Sequence, residues 1–173
     1  MGPSGPLLRS TEAMVQSTAL PQALCATLAR LDVPSDEAEA YLSPQLRNLM
    51  PDPQSLCDMQ KASARLIAAI NSGEKIAIFA DYDVDGATSA ALICLWLRHF
   101  SCSPTLYVPD RIDEGYGPNT AAMQKLAAHH SLIICVDCGT LSHAPIEAAK
   151  PADVIVLDHH LGAETLPDCL AVV

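Results

Sequence analysis

The stretch that decides the fold is KIAIFADYDVDGATS, residues 75–89. Five apolar residues, Ile76–Ala80, stand between polar neighbours and Asp81, a pattern typical of a short strand buried on both faces. Aspartates recur at positions 83 and 85, and Gly86 allows a tight turn before small residues open a helix. A strand, an acidic turn and a helix in this order predict the first unit of a parallel α/β fold.

Three further apolar segments also end at an aspartate. They are Thr105–Pro109 before Asp110, Leu132–Val136 before Asp137, and Val154–Leu157 before Asp158. With Leu170–Val173 as a fifth strand, the pattern predicts an α/β domain with a parallel sheet and helices on both of its faces. Ligands bind outside the carboxyl ends of the strands in such sheets, so we expect most of these aspartates to line one cleft.

A cleft lined by several carboxylates requires a positive partner. Two carboxylates about 5 Å apart repel each other by roughly 3 kcal/mol at an effective dielectric constant near 20. A single aspartate after a strand is more often a helix N-cap, which is our interpretation of Asp110. The set formed by Asp81, Asp83, Asp85 and Asp137 instead predicts a site for cations.

The composition limits the class of protein. The chain has 173 residues, half of them hydrophobic, and a formal net charge of -10. It contains no stretch typical of a membrane span or leader, and its seven cysteines are typical of reduced thiols in the cytoplasm. The acidity argues against a basic nucleic-acid surface, unless bound metal ions reverse the sign at the site and basic surface lies elsewhere. Composition leaves both alternatives open.

The chain divides into three predicted parts. Residues 1–19 are predicted to be disordered, and residues 20–72 form a helical segment that ends at Asn71-Ser72-Gly73. Residues 73–173 form the α/β domain, whose last strand stops without a turn or cap. We therefore expect the domain to be truncated at its carboxyl end.

The loop at residues 110–119 connects the second strand to a helix that starts near Asn119. A plain connection is the simplest interpretation of its two glycines and proline. Its place beside the acidic cleft makes Arg111 and Tyr116 candidate substrate contacts. Arg111 suits a phosphate group, and Tyr116 suits stacking or hydrogen bonding.

Two histidine pairs differ in their position. His129-His130 ends a helix, where imidazole favours the helix dipole, so a structural role is predicted. His159-His160 follows a buried strand and an aspartate, which favours a metal or phosphate site. Cys135 and Cys138 have a CxxC spacing, but no second pair completes a zinc site, so we expect Cys135 in the core and Cys138 near the cleft.

Four motifs in order resemble those of the DHH phosphoesterase family. They are DYDVDGATS at 81–89, PDRIDEGYGPN at 109–119, VDCG at 136–139 and DHH at 158–160. The GYG loop and the DHHL continuation are similar to the exonucleases of this family that are specific for single-stranded DNA. The resemblance implies a Rossmann-like DHH domain that holds two Mn²⁺ or Mg²⁺ ions.

The resemblance also implies roles for individual residues. Carried over by position, the metal ligands are Asp81, Asp83, Asp85, Asp137 and His159, and the catalytic residues are Asp83, Asp85, Asp137, His159 and His160. The substrate-binding residues are Ser89, Arg111, Tyr116, Asn119 and His160. Hard divalent cations prefer carboxylate oxygen with an occasional imidazole, and a pair of them can polarise a phosphate and activate water.

Two departures from the family pattern remain. Some members have a histidine ligand at the position of Phe79, and the family supplies another aspartate ligand and a DNA-clamping domain beyond residue 173. The resemblance implies digestion of single-stranded DNA from the 5′ end in DNA repair and recombination, together with other proteins of those pathways. The alternatives are a phosphodiesterase of short oligonucleotides or cyclic dinucleotides, and an inactive DNA-binding relative.

Overall fold

A computed structural model describes residues 5–173, which form two compact units that meet in the chain between Pro51 and Asp52. The first unit contains four helices: α1 (Gly5–Ser17), α2 (Gln22–Arg30), α3 (Ala38–Leu42) and α4 (Leu46–Leu49). The second unit begins with a 3₁₀ turn at Pro53–Ser55 and contains the sheet. Within residues 5–173, every helix is too short or too polar to span a bilayer.

Helix α1 corrects the prediction that residues 1–19 are disordered. Residues 5–17 are helical, and Met14 is only 1% exposed. Met14 packs in a small core with Cys25, Leu28 and Ala38. The prediction failed because the residues that anchor Met14 lie in α2 and α3, outside the segment itself. Residues 1–4 lie outside the described part of the chain.

The second unit alternates helices and strands. Its elements are α5 (Met59–Asn71), β1 (Ile76–Ala80), α6 (Val84–His99), β2 (Thr105–Tyr107), α7 (Thr120–Ala127), β3 (Leu132–Val136), α8 (His143–Glu147), β4 (Asp153–Leu157) and β5 (Ala171–Val172). All five strands are parallel, in the order β2-β1-β3-β4-β5. The predicted fold class, a parallel sheet with helices on both faces, is confirmed.

The sheet separates two hydrophobic cores. Alternate residues of β1 point to opposite faces, so Ile78 joins the helices α5 and α6, whereas Phe79 joins α7 and α8. The central strands β1 and β3 are buried along their whole length. The contacts of Ala62 and Ala69 explain why α5 belongs to the sheet unit, although the sequence placed it in the preceding segment.

The strand order creates a crevice between β1 and β3. The chain leaves β1 towards β2 on one side and returns to place β3 on the other. In open parallel sheets the ligand site lies where the order reverses, outside the carboxyl ends of the strands. Ala80 pairs with Val136 at this edge, so the next residues, Asp81 and Asp137, enter the crevice side by side.

Candidate metal centre

Asp81 and Asp137 form the floor of the crevice. Both are almost fully buried, with exposures of 2% and 5%. Asp81 Oδ1 and both carboxylate oxygens of Asp137 are buried without a hydrogen-bond partner among the described residues. A buried polar atom without a partner costs about 1–3 kcal/mol. These oxygens therefore point to a ligand that the protein itself does not supply.

Gly86 brings the start of α6 against the end of β1. A Cβ atom at this position would overlap the carbonyl oxygen of Asp81 and lie 2.8 Å from its carbonyl carbon. Only glycine permits this approach. Asp83 caps α6, since its Oδ1 accepts the Gly86 N–H at 3.0 Å, and this bond lowers the pKa of Asp83. Asp83 is thereby held as a carboxylate at the mouth of the crevice.

Asp137 has an unusual backbone conformation. Its φ is +60°, which non-glycine residues seldom adopt and which often marks a functional site. Burial and the nearby Asp83 carboxylate raise the pKa of Asp137. Opposite directions for the pKa values of Asp83 and Asp137 are expected of two acids that repel each other in one site.

The ligand atoms form two groups that share Asp137. One group contains Asp81, Asp83 and Asp137, and the other contains Asp137, His159 and His160. Within each group the ligand atoms lie within 4.8 Å of one another. Across residues 5–173, no lysine or arginine forms an ion pair with any of these aspartates. Carboxylates with imidazole are a donor set for divalent cations such as Mn²⁺, so the residues fit the predicted ions.

The two histidines are held differently. His159 is an exposed side chain whose Nε2 lies 3.1 Å from Asp137 Oδ1. The two atoms are close enough for an ion pair but are not aligned as a hydrogen bond. Asp137 Oδ1 therefore still lacks a hydrogen-bond partner. His160 places Nδ1 2.8 Å from Asp158 Oδ1, and this hydrogen bond raises the pKa of His160.

Asp158 orients His160 and was missed as a site residue in the sequence. Its side chain is 2% exposed, and Oδ2 accepts both the N–H of Thr140 at 3.0 Å and the hydroxyl of Thr140 at 2.6 Å. Burial opposes ionisation, but the bonds from Thr140 and His160 prevail and lower the pKa of Asp158. Since a carboxylate only accepts, His160 carries its proton on Nδ1, and Nε2 remains available. The DHH motif contained Asp158, but no sequence signal linked it to Thr140.

The loop places two of the predicted substrate contacts beside this centre. The Tyr116 hydroxyl donates to the Asp137 carbonyl at 3.2 Å and lies 3.3 Å from His160 Nδ1. The Arg111 guanidinium lies 5.3 Å from the centroid of Tyr82, a residue that the sequence did not single out. Tyr82 also contacts Tyr116 edge to face, with ring centroids 6.5 Å apart.

Three predicted site residues lie away from the two ligand groups. Asp85 is exposed in the first turn of α6, two residues after the cap Asp83, and belongs to neither group. Ser89 is half-buried one turn further along α6. Asn119 caps α7 by accepting the Ala122 N–H at 2.8 Å, so its amide is engaged within the protein. Their roles in the site stay predictions.

Residues given structural interpretations lie outside the crevice chemistry. Cys135 and Cys138 are both fully buried, and burial raises the pKa of each thiol, which disfavours a redox or zinc pair. His130 joins the end of α7 to β2 through Leu126 O and Thr105 Oγ1, each at 2.8 Å. Phe79, at the position of a family histidine ligand, is a core residue stacked on Tyr107.

Known proteins share these sequence features. The chain is 41% identical over 125 residues to the single-stranded-DNA-specific exonuclease RecJ of Bacillus subtilis. This match covers 70% of the chain and 16% of that protein. It is 40% identical over 124 residues to RecJ of Escherichia coli, and this match covers 69% of the chain and 22% of the relative. The chain thus spans less than a quarter of the length of either relative.

Solved structures share the fold. An exonuclease RecJ crystallised with manganese is 33% identical, with a TM-score of 0.61 over 65% of this chain and 29% of that one. RecJ from Thermus thermophilus, crystallised with Mn²⁺, has a TM-score of 0.75 over 95% of this chain and 23% of that one; at 22% identity it supports the fold alone.

The family assignment rests on the second unit. The family model described as the DHH family, N-terminal domain, matches residues 75–173. These residues contain β1 to β5, both aspartates of the crevice floor and the histidine pair. The chain belongs to the DHH family.

Proposed function

We propose that this chain is the amino-terminal catalytic portion of a metal-dependent exonuclease that digests single-stranded DNA from the 5′ end during DNA repair and recombination in the cytoplasm. The observation that carries the proposal is the position of Asp137, a buried carboxylate that accepts no hydrogen bond from residues 5–173 and belongs to both ligand groups. A residue shared in this way suits a pair of neighbouring cations. The similarity to exonucleases named for single-stranded DNA supports the substrate.

The proposed ligands of two Mn²⁺ or Mg²⁺ ions are Asp81, Asp83, Asp85, Asp137 and His159. When bound, such ions would polarise the scissile phosphate and lower the pKa of a bound water, so that hydroxide is available at neutral pH. Asp83 is held ionised by the N–H of Gly86, and Asp137 is fixed between the strands by its own N–H, which donates to Leu157 O at 2.8 Å. The protein thus fixes its acids before any cation arrives, which limits reorganisation on binding.

His160 is the proposed contact to the reacting phosphate. Asp158 and Thr140 hold its ring so that Nδ1 carries the proton, and Nε2 forms no hydrogen bond within residues 5–173. Because the same bond raises the pKa of His160, a larger fraction of the side chain is cationic near neutral pH. A cation at this place attracts an anionic phosphate and supplies a proton to a leaving oxygen.

The remaining contacts are proposed for the strand of DNA itself. Arg111 suits a phosphate group, and the exposed face of Tyr116 suits a nucleobase or a hydrogen bond. Ser89 and Asn119 are assigned to substrate binding by family position alone. Because the formal net charge is -10, we expect both bound cations at the site and basic surface outside this chain to contribute to DNA binding.

The test uses the full-length protein with single-stranded DNA labelled at either end and with Mn²⁺ present. We expect nucleotides to be released from the 5′ label first, and Asp137→Ala to reduce the rate by at least about 1,000-fold, since it removes a ligand shared by both groups. Asp36→Ala is the matched control, because this exposed aspartate lies in the first unit.

Other outcomes would replace the proposal. Cleavage of dinucleotides or cyclic dinucleotides without digestion of long strands would identify a phosphodiesterase of short substrates. DNA binding without any hydrolysis would identify an inactive relative. Release from the 3′ label first would contradict the polarity while leaving the metal centre in place.

A further inference from the structure

Glu114 organises the loop that carries Arg111 and Tyr116. Its Oε1 accepts the Tyr107 hydroxyl at 2.5 Å and the Asn119 amide at 3.1 Å, and its Oε2 accepts the Asp110 N–H at 2.9 Å. One half-buried carboxylate thus joins the end of β2, the start of the loop and the cap of α7. These bonds lower the pKa of Glu114, so the carboxylate remains ionised.

The backbone of the loop is closed around the same residue. The Asp110 carbonyl accepts the N–H groups of Glu114 and Gly115 at 2.9 and 3.1 Å. The Asp110 side chain accepts the N–H groups of Ile112 and Asp113 at 2.8 and 3.1 Å. The fold over residues 110–115 is therefore specified by hydrogen bonds that lie within the loop and its two ends.

The end of the loop, residues 115–117, lies against the candidate metal centre. Gly115 and Gly117 have φ values of +82° and +72°, and Tyr116 between them reaches Asp137 O and His160. Arg111, within the closed segment 110–115, lies over the ring of Tyr82. Neither side chain forms a hydrogen bond or an ion pair with Glu114 among residues 5–173, so we expect any effect of Glu114 on substrate to pass through the loop conformation.

We propose that Glu114 is a positioning residue, which holds the loop in its substrate-binding conformation before DNA arrives. The inference rests on the proposed function, which it deepens by naming the group that prepares the substrate contacts. A loop that is ordered beforehand loses less conformational entropy on binding. Glu114 belongs to neither ligand group, so it acts on affinity rather than on the chemical step.

The variant Glu114→Gln keeps the size of the side chain and removes its charge, so it tests whether the carboxylate is required. In Glu114→Gln one acceptor becomes an NH₂ donor, which must face either the Asp110 N–H or the Asn119 amide, both of them donors. The exchange Glu114→Gln with Asn119→Asp reverses the partners and restores an acceptor opposite the new donor. An aspartate at 119 also retains an oxygen for the N–H of Ala122.

The experiment measures initial rates of the full-length protein on single-stranded DNA with Mn²⁺. Glu114→Gln is expected to raise KM about tenfold with kcat within about twofold, the signature of lost uniform binding. The double variant is expected to restore the wild-type amide hydrogen exchange over residues 110–117, a readout that does not depend on any contact between Asn119 and substrate. Asp113→Asn is the matched control, since this exposed loop carboxylate accepts no hydrogen bond among residues 5–173.

Two further measurements separate the possible failures. Manganese titration by calorimetry should give the same affinity for Glu114→Gln and the wild type, and a weakened affinity overturns the proposal by placing Glu114 in the metal centre. Amide hydrogen exchange should quicken over residues 110–117 while β3 is unaffected. If no variant digests DNA, the proposed function fails, and hydrogen exchange alone still decides whether Glu114 orders the loop.

Three outcomes also overturn the proposal. They are an unchanged KM in Glu114→Gln, an equal change of KM in Asp113→Asn, and hydrogen exchange over residues 110–117 that is as fast in the double variant as in Glu114→Gln.

Discussion

At the scale of single residues, Asp137 shows what the site costs the fold. It combines a positive φ, a buried carboxylate and two oxygens without hydrogen-bond partners. Each of these features is unfavourable in the protein without cations. A residue that is poor for stability but shared by both ligand groups is best explained by the ions it would hold.

Asp137→Asn should therefore stabilise the protein in the absence of divalent ions. Asparagine tolerates the same backbone conformation, carries no charge, and can donate its amide to the carboxylates of Asp81 or Asp83. We expect the free energy of unfolding to rise by about 1–3 kcal/mol. The measurement is urea denaturation of both proteins in a chelator, with Asp36→Asn as a surface control.

Equal stability of the Asp137→Asn variant and the wild type would contradict this account. In that case the crevice already tolerates the Asp137 charge, and its unpaired oxygens would not indicate a missing cation.

At the scale of elements, one arginine of α5 joins the segment before β1 to the start of β4, at the edge of the sheet opposite the crevice. Arg65 of α5 donates to both oxygens of Glu74, at 3.2 and 2.7 Å, and to Asp153 at the start of β4 at 2.6 Å. The Arg65 side chain is 17% exposed and that of Glu74 is 26% exposed. A bidentate pair with limited exposure is stronger than an ordinary surface ion pair.

This pair predicts a loss of stability in acid. Arg65 holds the pKa of Glu74 below its ordinary value of 4.5. The contribution of the pair to the free energy of unfolding is therefore complete above pH 4.5 and is lost as the pH falls through the lowered pKa. Glu74→Gln should cost about 1–2 kcal/mol at pH 7, and this difference should disappear in strong acid.

The measurement compares urea denaturation of the wild type and Glu74→Gln across the acid range. The control is Glu147→Gln, whose exposed pair with Lys150 should contribute little. A difference between wild type and Glu74→Gln that persists at low pH would show that the glutamate acts by packing and not by charge.

The same elements show what a sequence can predict. β1 and β3 were predicted with their observed bounds, because both are continuous apolar runs between polar residues. β2 is two residues shorter than predicted, since Val108 and Pro109 lie beyond its last pairing with β1. The Arg65 contacts could not be predicted, because Asp153 lies 88 residues away in the chain.

The site was predictable to a similar depth. The strand ends predicted Asp81, Asp137 and the histidine pair, because topology brings successive strand ends to one edge, and the family motif contains the same pair. The hydrogen bonds of Asp158 and Glu114 were not predictable, since they depend on side-chain directions in folded loops. Asp85 shows the same limit, because an alternating spacing of aspartates does not reveal that a helix starts between them.

At the scale of the whole molecule, charge and fold are in tension. The chain has 20 acidic and 10 basic residues, and its crevice gathers carboxylates where the topology places a ligand. Three of the acidic residues that argued against nucleic acid at the level of composition, Asp81, Asp83 and Asp137, meet where cations are expected. Divalent ions would relieve this local repulsion and supply the positive charge that a phosphate substrate needs.

Mn²⁺ should accordingly stabilise the folded chain more than its ionic strength explains. An ion that binds only the folded state at about 100 times its dissociation constant adds about 2.7 kcal/mol, which raises the melting temperature of a chain of this size by roughly 5–10 °C. The measurement is thermal unfolding in a chelator, in Mn²⁺, and in sodium chloride at equal ionic strength. Asp137→Asn should abolish the shift, whereas Asp36→Asn should retain it, because only Asp137 belongs to the ligand groups. An equal shift in both variants, or an equal effect of sodium chloride, would mean that Mn²⁺ only screens the net charge of -10 and that the crevice is not its site.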